Sequence, residues 1–447
     1  MPESPQNVIK TSIDTAAAPL AKLQPDAISG TQDVIIGMAS SAPAASIGLT
    51  IAALAATTAY GSGAIILFTA IPMLVIANAY RRLNLWNANC GASFEWVGRA
   101  INPYLGFLTG WLMIAAYVIA TVSGVEVLGP TVLAVFGADS ASTWADIAIG
   151  TGVGVIMLVI AVIGIKVTAR TQVGMAFIEY TLLIGFGIAG LVMVLLHRHG
   201  TVPLSRGWLS FSGIGGKGSA AVIALGVSYT LCTAGLQGTV PAKALQDNAA
   251  SALVYTAQAI GGRGWAKAMA FALALSVVAT TGTGIVLSAR IVYGMASRNV
   301  LPAFLGHVSA RFGTPAWASV LIGALIIGLT WVYLLATSVQ EAFTDVVDVT
   351  GLLFAIFYAL TALATIAYYR RRIFSSPADA ITLGILPLGA VAFLAWVLDQ
   401  TLRVAPAAQV WSLTGITGTG VVVMLILRLA INPQFFRLPR ESGASRH

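Results

Sequence analysis

Residues Val34 to Thr57 read VIIGMASSAPAASIGLTIAALAAT, and the reading of the whole chain turns on this stretch. It is long and apolar enough to cross a bilayer, yet its middle is almost wholly Gly, Ala, Ser and Pro. A plain membrane anchor would be rich in Leu and Val there. Small residues let neighbouring helices approach closely, and Pro43 takes an amide out of the helical ladder, which releases local backbone groups. Such groups near the membrane midplane can hold a polar solute: half-helix N-termini face an anionic group, and unwound carbonyls face a cation or ammonium. The bland alternative is a tightly packed helix with a proline kink, and this span alone leaves both open.

Composition narrows the class. The chain is 57% hydrophobic and 9% charged, with a mean hydropathy of +0.87, which marks an integral membrane protein. Several apolar runs of roughly 20 residues make it polytopic, and the ten-residue alternation of a membrane barrel is absent. Residues 1–32 carry Lys10 and Lys22 beside Glu3, Asp14 and Asp26, without the apolar core of a signal peptide, and are expected to form a polar cytoplasmic tail. Residues 33–432 form the transmembrane domain, and 433–447 a basic cytoplasmic tail. The net charge of +8 sits in short loops and in that tail, where it orients the chain in the cytoplasmic membrane rather than binding nucleic acid. Cys90 and Cys232 lie far apart, without neighbours at metal-ligand spacing, so free thiols are expected.

The spans can be counted in order. A turn at Ala59 to Gly63 leads to a second span near 64–80, interrupted by Pro72 and closed by Arg81 and Arg82. Tyr104 to Phe136 is too long for an upright crossing and predicts strong tilt or a bend near Gly129-Pro130. The fourth span covers about 147–165, closed by Lys166 and Arg170, and the fifth about 171–196. One span near 219–240 precedes a surface segment, Pro241 to Arg263, with a short helical pattern over 249–260. Spans near 265–293, 316–335, 346–369, 381–398 and 411–430 complete a set of eleven.

Charge contradicts that total. Arg81-Arg82 and Lys166-Arg170 place the N-terminus inside, while Arg298, Arg311, Arg370-Arg371-Arg372 and the basic tail place the second half's basic ends inside too. Eleven crossings cannot satisfy both. Residues 216–240 therefore either fail to cross, as a re-entrant pair with both ends outside, or a span is missing.

Few polar groups lie within the spans. Glu126 reads as a site candidate or an interfacial residue. Glu179 is a functional candidate by default, since a carboxylate in an apolar helix is costly, but an ion pair with Arg170 is the structural alternative. Thr280, Thr281 and Thr283 either offer oxygens to a sodium ion beside the first span or bond back to their own helix. All four histidines, His197, His199, His307 and His447, fall in loops or the tail and make poor proton relays. No nucleophile with its base, phosphate loop or metal set stands out, so neither an enzyme nor a cofactor or metal site is expected.

Three stretches resemble the amino acid–polyamine–organocation (APC) superfamily of permeases. Leu287 to Pro315, LSARIVYGMASRNVLPAFLGHVSARFGTP, is similar to the family's span-eight end and the loop after it. Gly91, Trp96, Arg99, Pro103, Gly106, Gly110 and Trp111 fit its pattern around the start of span three, and Tyr368 to Arg372 its tenth-span ending. The resemblance implies an all-α, LeuT-like inverted-repeat transporter fold, with spans one and six unwound around a substrate. It further implies that Ala39, Ser40, Ser41, Ala42, Pro43 and Ala44 contact the α-carboxylate and α-amino groups of an amino acid; Tyr117 in the third span and Thr230 or Cys232 in the interrupted region are separate candidates for lining the side-chain pocket. The implied activity is gradient-driven transport of an amino acid or related amine, coupled to protons or sodium. Span six departs from the pattern: Gly235-Leu236-Gln237 lacks the family's acid, and Asp247-Asn248 is followed by Ala249. Joining the start of span six to the end of span seven would remove about one span and resolve the charge conflict. The alternative is then a degenerate, non-transporting scaffold acting as a sensor or partner.

Overall fold

The computed structural model describes residues 29–39, 42–48, 51, 62–126, 128–137, 142–198, 201–202, 233, 236, 238–248, 251–336, 339–430 and 433–437. Nine helices among them are long and apolar enough to cross a membrane. In chain order the helices are α1 (Gly30–Ala39), α2 (Ser62–Trp86), α3 (Ser93–Ala100), α4 (Pro103–Glu126), α5 (Leu128–Phe136), α6 (Thr143–Ile163) and α7 (Ile165–Leu195). After the short α8 (Ala242–Asp247) come α9 (Ala252–Ala296), α10 (Ala316–Ala336), α11 (Val339–Tyr369), α12 (Leu386–Val404) and α13 (Ala407–Ala430).

Hydropathy located these spans to within a few residues, with two instructive differences. Lys166 and Arg170 do not close the fourth span; they lie in the first turns of α7, because Gly164 at φ 150° turns the chain in a single residue. The surface segment and the span after it follow one another without a loop as α9, which bends at Gly261 and Gly262, the latter at φ 75°.

Helix α9 is the central pillar, with 72% of its most apolar stretch buried, against 11% for the peripheral α13. Its small residues permit this. A Cβ on Gly284 would strike Thr121 of α4, and one on Gly294 would come within 2.6 Å of the Gly91 backbone. With no aqueous drive between helices in lipid, such close backbone approach is the main source of packing energy. Polar ties add register: Trp331 Nε1 donates to Thr151 Oγ1 at 2.8 Å, joining α10 to α6, and Trp111 Nε1 donates to the Ile416 carbonyl at 2.9 Å, joining α4 to α13.

One end of the bundle gathers the basic groups. Buried Glu95 of α3 accepts from Arg99 at 2.6 Å and, through both oxygens, from Arg298 just after α9. Cys90, in the turn before α3, is a free thiol whose pKa is pushed up by burial, opposed by the nearby Arg290 charge. Glu95→Gln is expected to cost about 1–3 kcal/mol, less than a fully buried pair because both arginines keep some solvent. A drop of several degrees in the detergent melting temperature would show it. An unchanged melt would mean that α3 is held by its apolar contacts alone.

The parity conflict has a structural resolution. The Val202 amide donates to the Gly238 carbonyl at 3.0 Å, so the two flanks of that segment lie together at one end of the bundle. Residues 203–232 lie outside the described residues, but their two flanks meet. The chain therefore makes no net crossing there, and the basic ends of both halves share one face.

Candidate functional site

The first span is broken where its small residues stand. Helix α1 ends at Ala39, and Ala42 takes φ 46°, a left-handed value unusual for a residue with a Cβ. A new helical turn then starts: the Ser46 amide donates to the Ala42 carbonyl at 2.7 Å, and residues 43–48 are helical. Pro43 suits the first position because it has no amide to leave unpaired. Ala44 and Ala45 do have amides, and the first turn of a helix gives them no internal partner.

Both amides are met from other helices. Ala44 N donates to Glu179 Oε1 of α7 at 2.9 Å, and Ala45 N donates to Ser276 Oγ of α9 at 3.3 Å. Glu179 and Ser276 are fully buried. Glu179 Oε2 has no hydrogen-bond partner among the described residues. A carboxylate at the start of a helical turn is favoured by the amides that face it, and the uncapped turn is satisfied in return. One acceptor oxygen remains at the break without a hydrogen-bond partner among the described residues, on a carboxyl that also lies beside the Ser276 hydroxyl.

The same seam continues one face along α7. Gln172, seven residues before Glu179, donates through Nε2 to the Ala279 carbonyl of α9 at 2.8 Å, and its Oε1 is buried without a partner among the described residues. Thr280, Thr281 and Thr283 donate to carbonyls one turn back on α9, at 2.8 to 3.1 Å. Those hydroxyl hydrogens are used within the helix; only lone pairs face outward. Apolar residues close the other side of the break: Ala44, Ala45, Ile47 and Ile51 share a buried cluster with Leu183, Leu236, Val240 and Leu273. Leu236 and Val240 bring the flank of the shortened segment to the broken span.

The structure distributes the expected site residues unevenly. Ala42, Pro43 and Ala44 stand at the break, and Ala39 ends α1. Tyr117 lies elsewhere, edge-on to Phe354 of α11 at 5.4 Å between ring centroids. Ser40, Ser41, Thr230 and Cys232 lie outside the described residues, as does the side chain of Glu126. Glu179 pairs with no base among the described residues; it faces the Ala44 amide, 135 positions away, and the Ser276 hydroxyl. Spacing bears on this, because residues nine apart on an α-helix point to opposite faces, so Arg170 could not have reached it. Ser276 carried no signal in the sequence.

A family model described as amino acid permease matches residues 217–422. No curated protein matches the chain in sequence. Among solved structures, the manganese transporter of Eremococcus coleocola, crystallised with an aromatic bis-isothiourea substituted compound, aligns at a TM-score of 0.51 and 12% identity. The alignment covers 92% of this chain and 99% of that one. At such identity the likeness is one of fold. The chain is thus a multi-spanning helical protein with the LeuT-like transporter fold, recognised through residues 217–422 as similar to the amino acid permeases of the APC superfamily.

Proposed function

We propose that this chain is a secondary transporter that carries an amino acid or related amine across the cytoplasmic membrane, coupled to a proton or sodium gradient. The observation that carries this reading is the broken first span, with Ala44 N held by Glu179 and the second carboxylate oxygen without a hydrogen-bond partner among the described residues. A buried carboxylate is expensive as a bare anion and is relieved by a proton, a metal cation or a substrate ammonium. Gradient coupling and amine recognition are both served by such a group. The basic face, with Arg82, Lys166, Arg298 and Arg371, lies in the cytoplasm on this reading, and so do both tails.

The degenerate-scaffold reading has one observation in its favour: the segment between Val202 and Gly238 makes no net crossing. One experiment separates the two. Proteoliposomes holding the full chain are given a panel of radiolabelled amino acids and amines, with imposed proton or sodium gradients, beside a Ser41→Leu, Pro43→Leu double variant. Gradient-dependent accumulation of one panel member, lost in the variant, is the expected result. No uptake of any member by folded protein would sink transport and leave the scaffold.

A further inference from the structure

A second polar feature lies away from the broken span, on the basic face. Where α6 turns into α7 at Gly164, a cavity of about 180 Å3 opens against Arg290 of α9 and the loop before α10. Lys166, Arg290 and Arg311 all line it, and no carboxylate among the described residues does. None of the three forms an ion pair with a carboxylate among the described residues. Arg311 instead sits 5.2 Å from the Phe312 ring centroid. Three cations brought to one space without a counter-charge raise one another's energy, and an anion among them reverses the sign of that term.

The backbone adds to the same polarity. Gly164 caps α7 without a side-chain acceptor, so the amides of the first turn begin at the cavity wall. The volume is that of about six waters, enough for a phosphate group and its ester oxygens. Its rim is apolar: Ile163, Val167 and Phe312 are 41%, 42% and 37% exposed beside it. On a membrane protein those side chains face acyl chains, and a cationic hollow at their ends sits at headgroup depth. A soluble anion would use the cations and leave the rim unused; an anionic lipid uses both.

We propose that this cavity binds the phosphate group of an anionic phospholipid, with Lys166, Arg290 and Arg311 as its ligands and Ile163, Val167 and Phe312 as the seat of its acyl chains. The site is independent of the transport reading. It ties together α6, α7, α9 and the loop before α10 at the basic face.

The full chain in detergent is titrated with dioctanoyl phosphatidylglycerol, with dioctanoyl phosphatidylcholine and with inorganic phosphate. Bound lipid is counted by native mass spectrometry, and affinity is read from the shift in melting temperature. Phosphatidylglycerol is expected to bind on the order of tenfold tighter than phosphatidylcholine, and a Lys166→Gln, Arg311→Gln pair to erase that preference. An Arg370→Gln, Arg371→Gln pair, which removes the same charge from the same face outside the cavity, is expected to keep it. Should the cavity pair fold poorly, Arg311→Gln alone, in a surface loop, is expected to lose at least threefold, and Lys166→Arg to retain wild-type binding. Equal affinity for the two lipids, or equal losses in the cavity and control pairs, would overturn the proposal. Saturation by inorganic phosphate with no added binding of phosphatidylglycerol would assign the cavity to a soluble anion and overturn the lipid assignment.

Discussion

Glu179→Gln is expected to lower gradient-driven uptake at least about 100-fold while leaving the fold intact. Glutamine keeps the shape and the carbonyl oxygen that accepts from Ala44 N at 2.9 Å, so the turn after the break stays capped. What it loses is the charge and the capacity to take up and release a proton or to hold an ammonium. Glu179→Leu removes more. It leaves the Ala44 amide buried and unpaired, at about 1–3 kcal/mol, and is expected to lower the melting temperature as well. The two variants separate capping from chemistry. A glutamine variant that transports at the wild-type rate with the same gradient dependence would show that Glu179 only caps the turn.

Gly106→Val is expected to have the largest effect on stability. A Cβ there would lie 2.5 Å from Gly98 Cα and 2.7 Å from both the Gly98 amide and the Phe94 carbonyl, and all three are backbone atoms. Rotamer changes cannot relieve such a clash, so α3 must move off α4, at a cost of about 3 kcal/mol or more. The displacement would carry Phe94 away from Phe435, stacked at 4.5 Å, and Glu95 away from Arg298. Gly185→Ala on α7, where nothing lies within 4 Å of the new carbon, serves as the control. Fluorescence-detected size exclusion should show the valine variant aggregated and the alanine variant monodisperse. A valine variant with the wild-type profile and melt would mean that the two helices are not packed as closely as described.

Much of the architecture was legible because it rests on local, additive quantities. Transfer of apolar side chains into lipid is summed along the chain, so the spans of α6, α10, α11 and α13 emerged from hydropathy alone. The parity argument is of the same local kind: each basic loop reports its side of the membrane independently, and an odd total conflicts with that report. Its structural counterpart is the bond from Val202 to Gly238. Boundaries were less legible where one residue decides them. Gly164 made a loop into a point, and Gly261-Gly262 bent α9 and kept its two halves consecutive.

The candidate site was half legible. Pro43 among small residues announced a break, because proline and alanine act on their own turn. The partners of that break lie 135 and 231 positions away, on α7 and α9, and no local rule connects them. By itself the amino-acid sequence determined that this is a polytopic helical membrane protein, narrowed its first span to a break or a kink at Pro43, and showed that eleven full crossings conflict with the charge pattern. Only the tertiary structure decided that Glu179 meets Ala44, that Lys166, Arg290 and Arg311 share a cavity, and that α9 is the pillar of the bundle. The physical reason is one of range: burial and backbone propensity are properties of neighbours in the chain, whereas hydrogen bonds and charge clusters between helices exist only once packing has brought distant residues together.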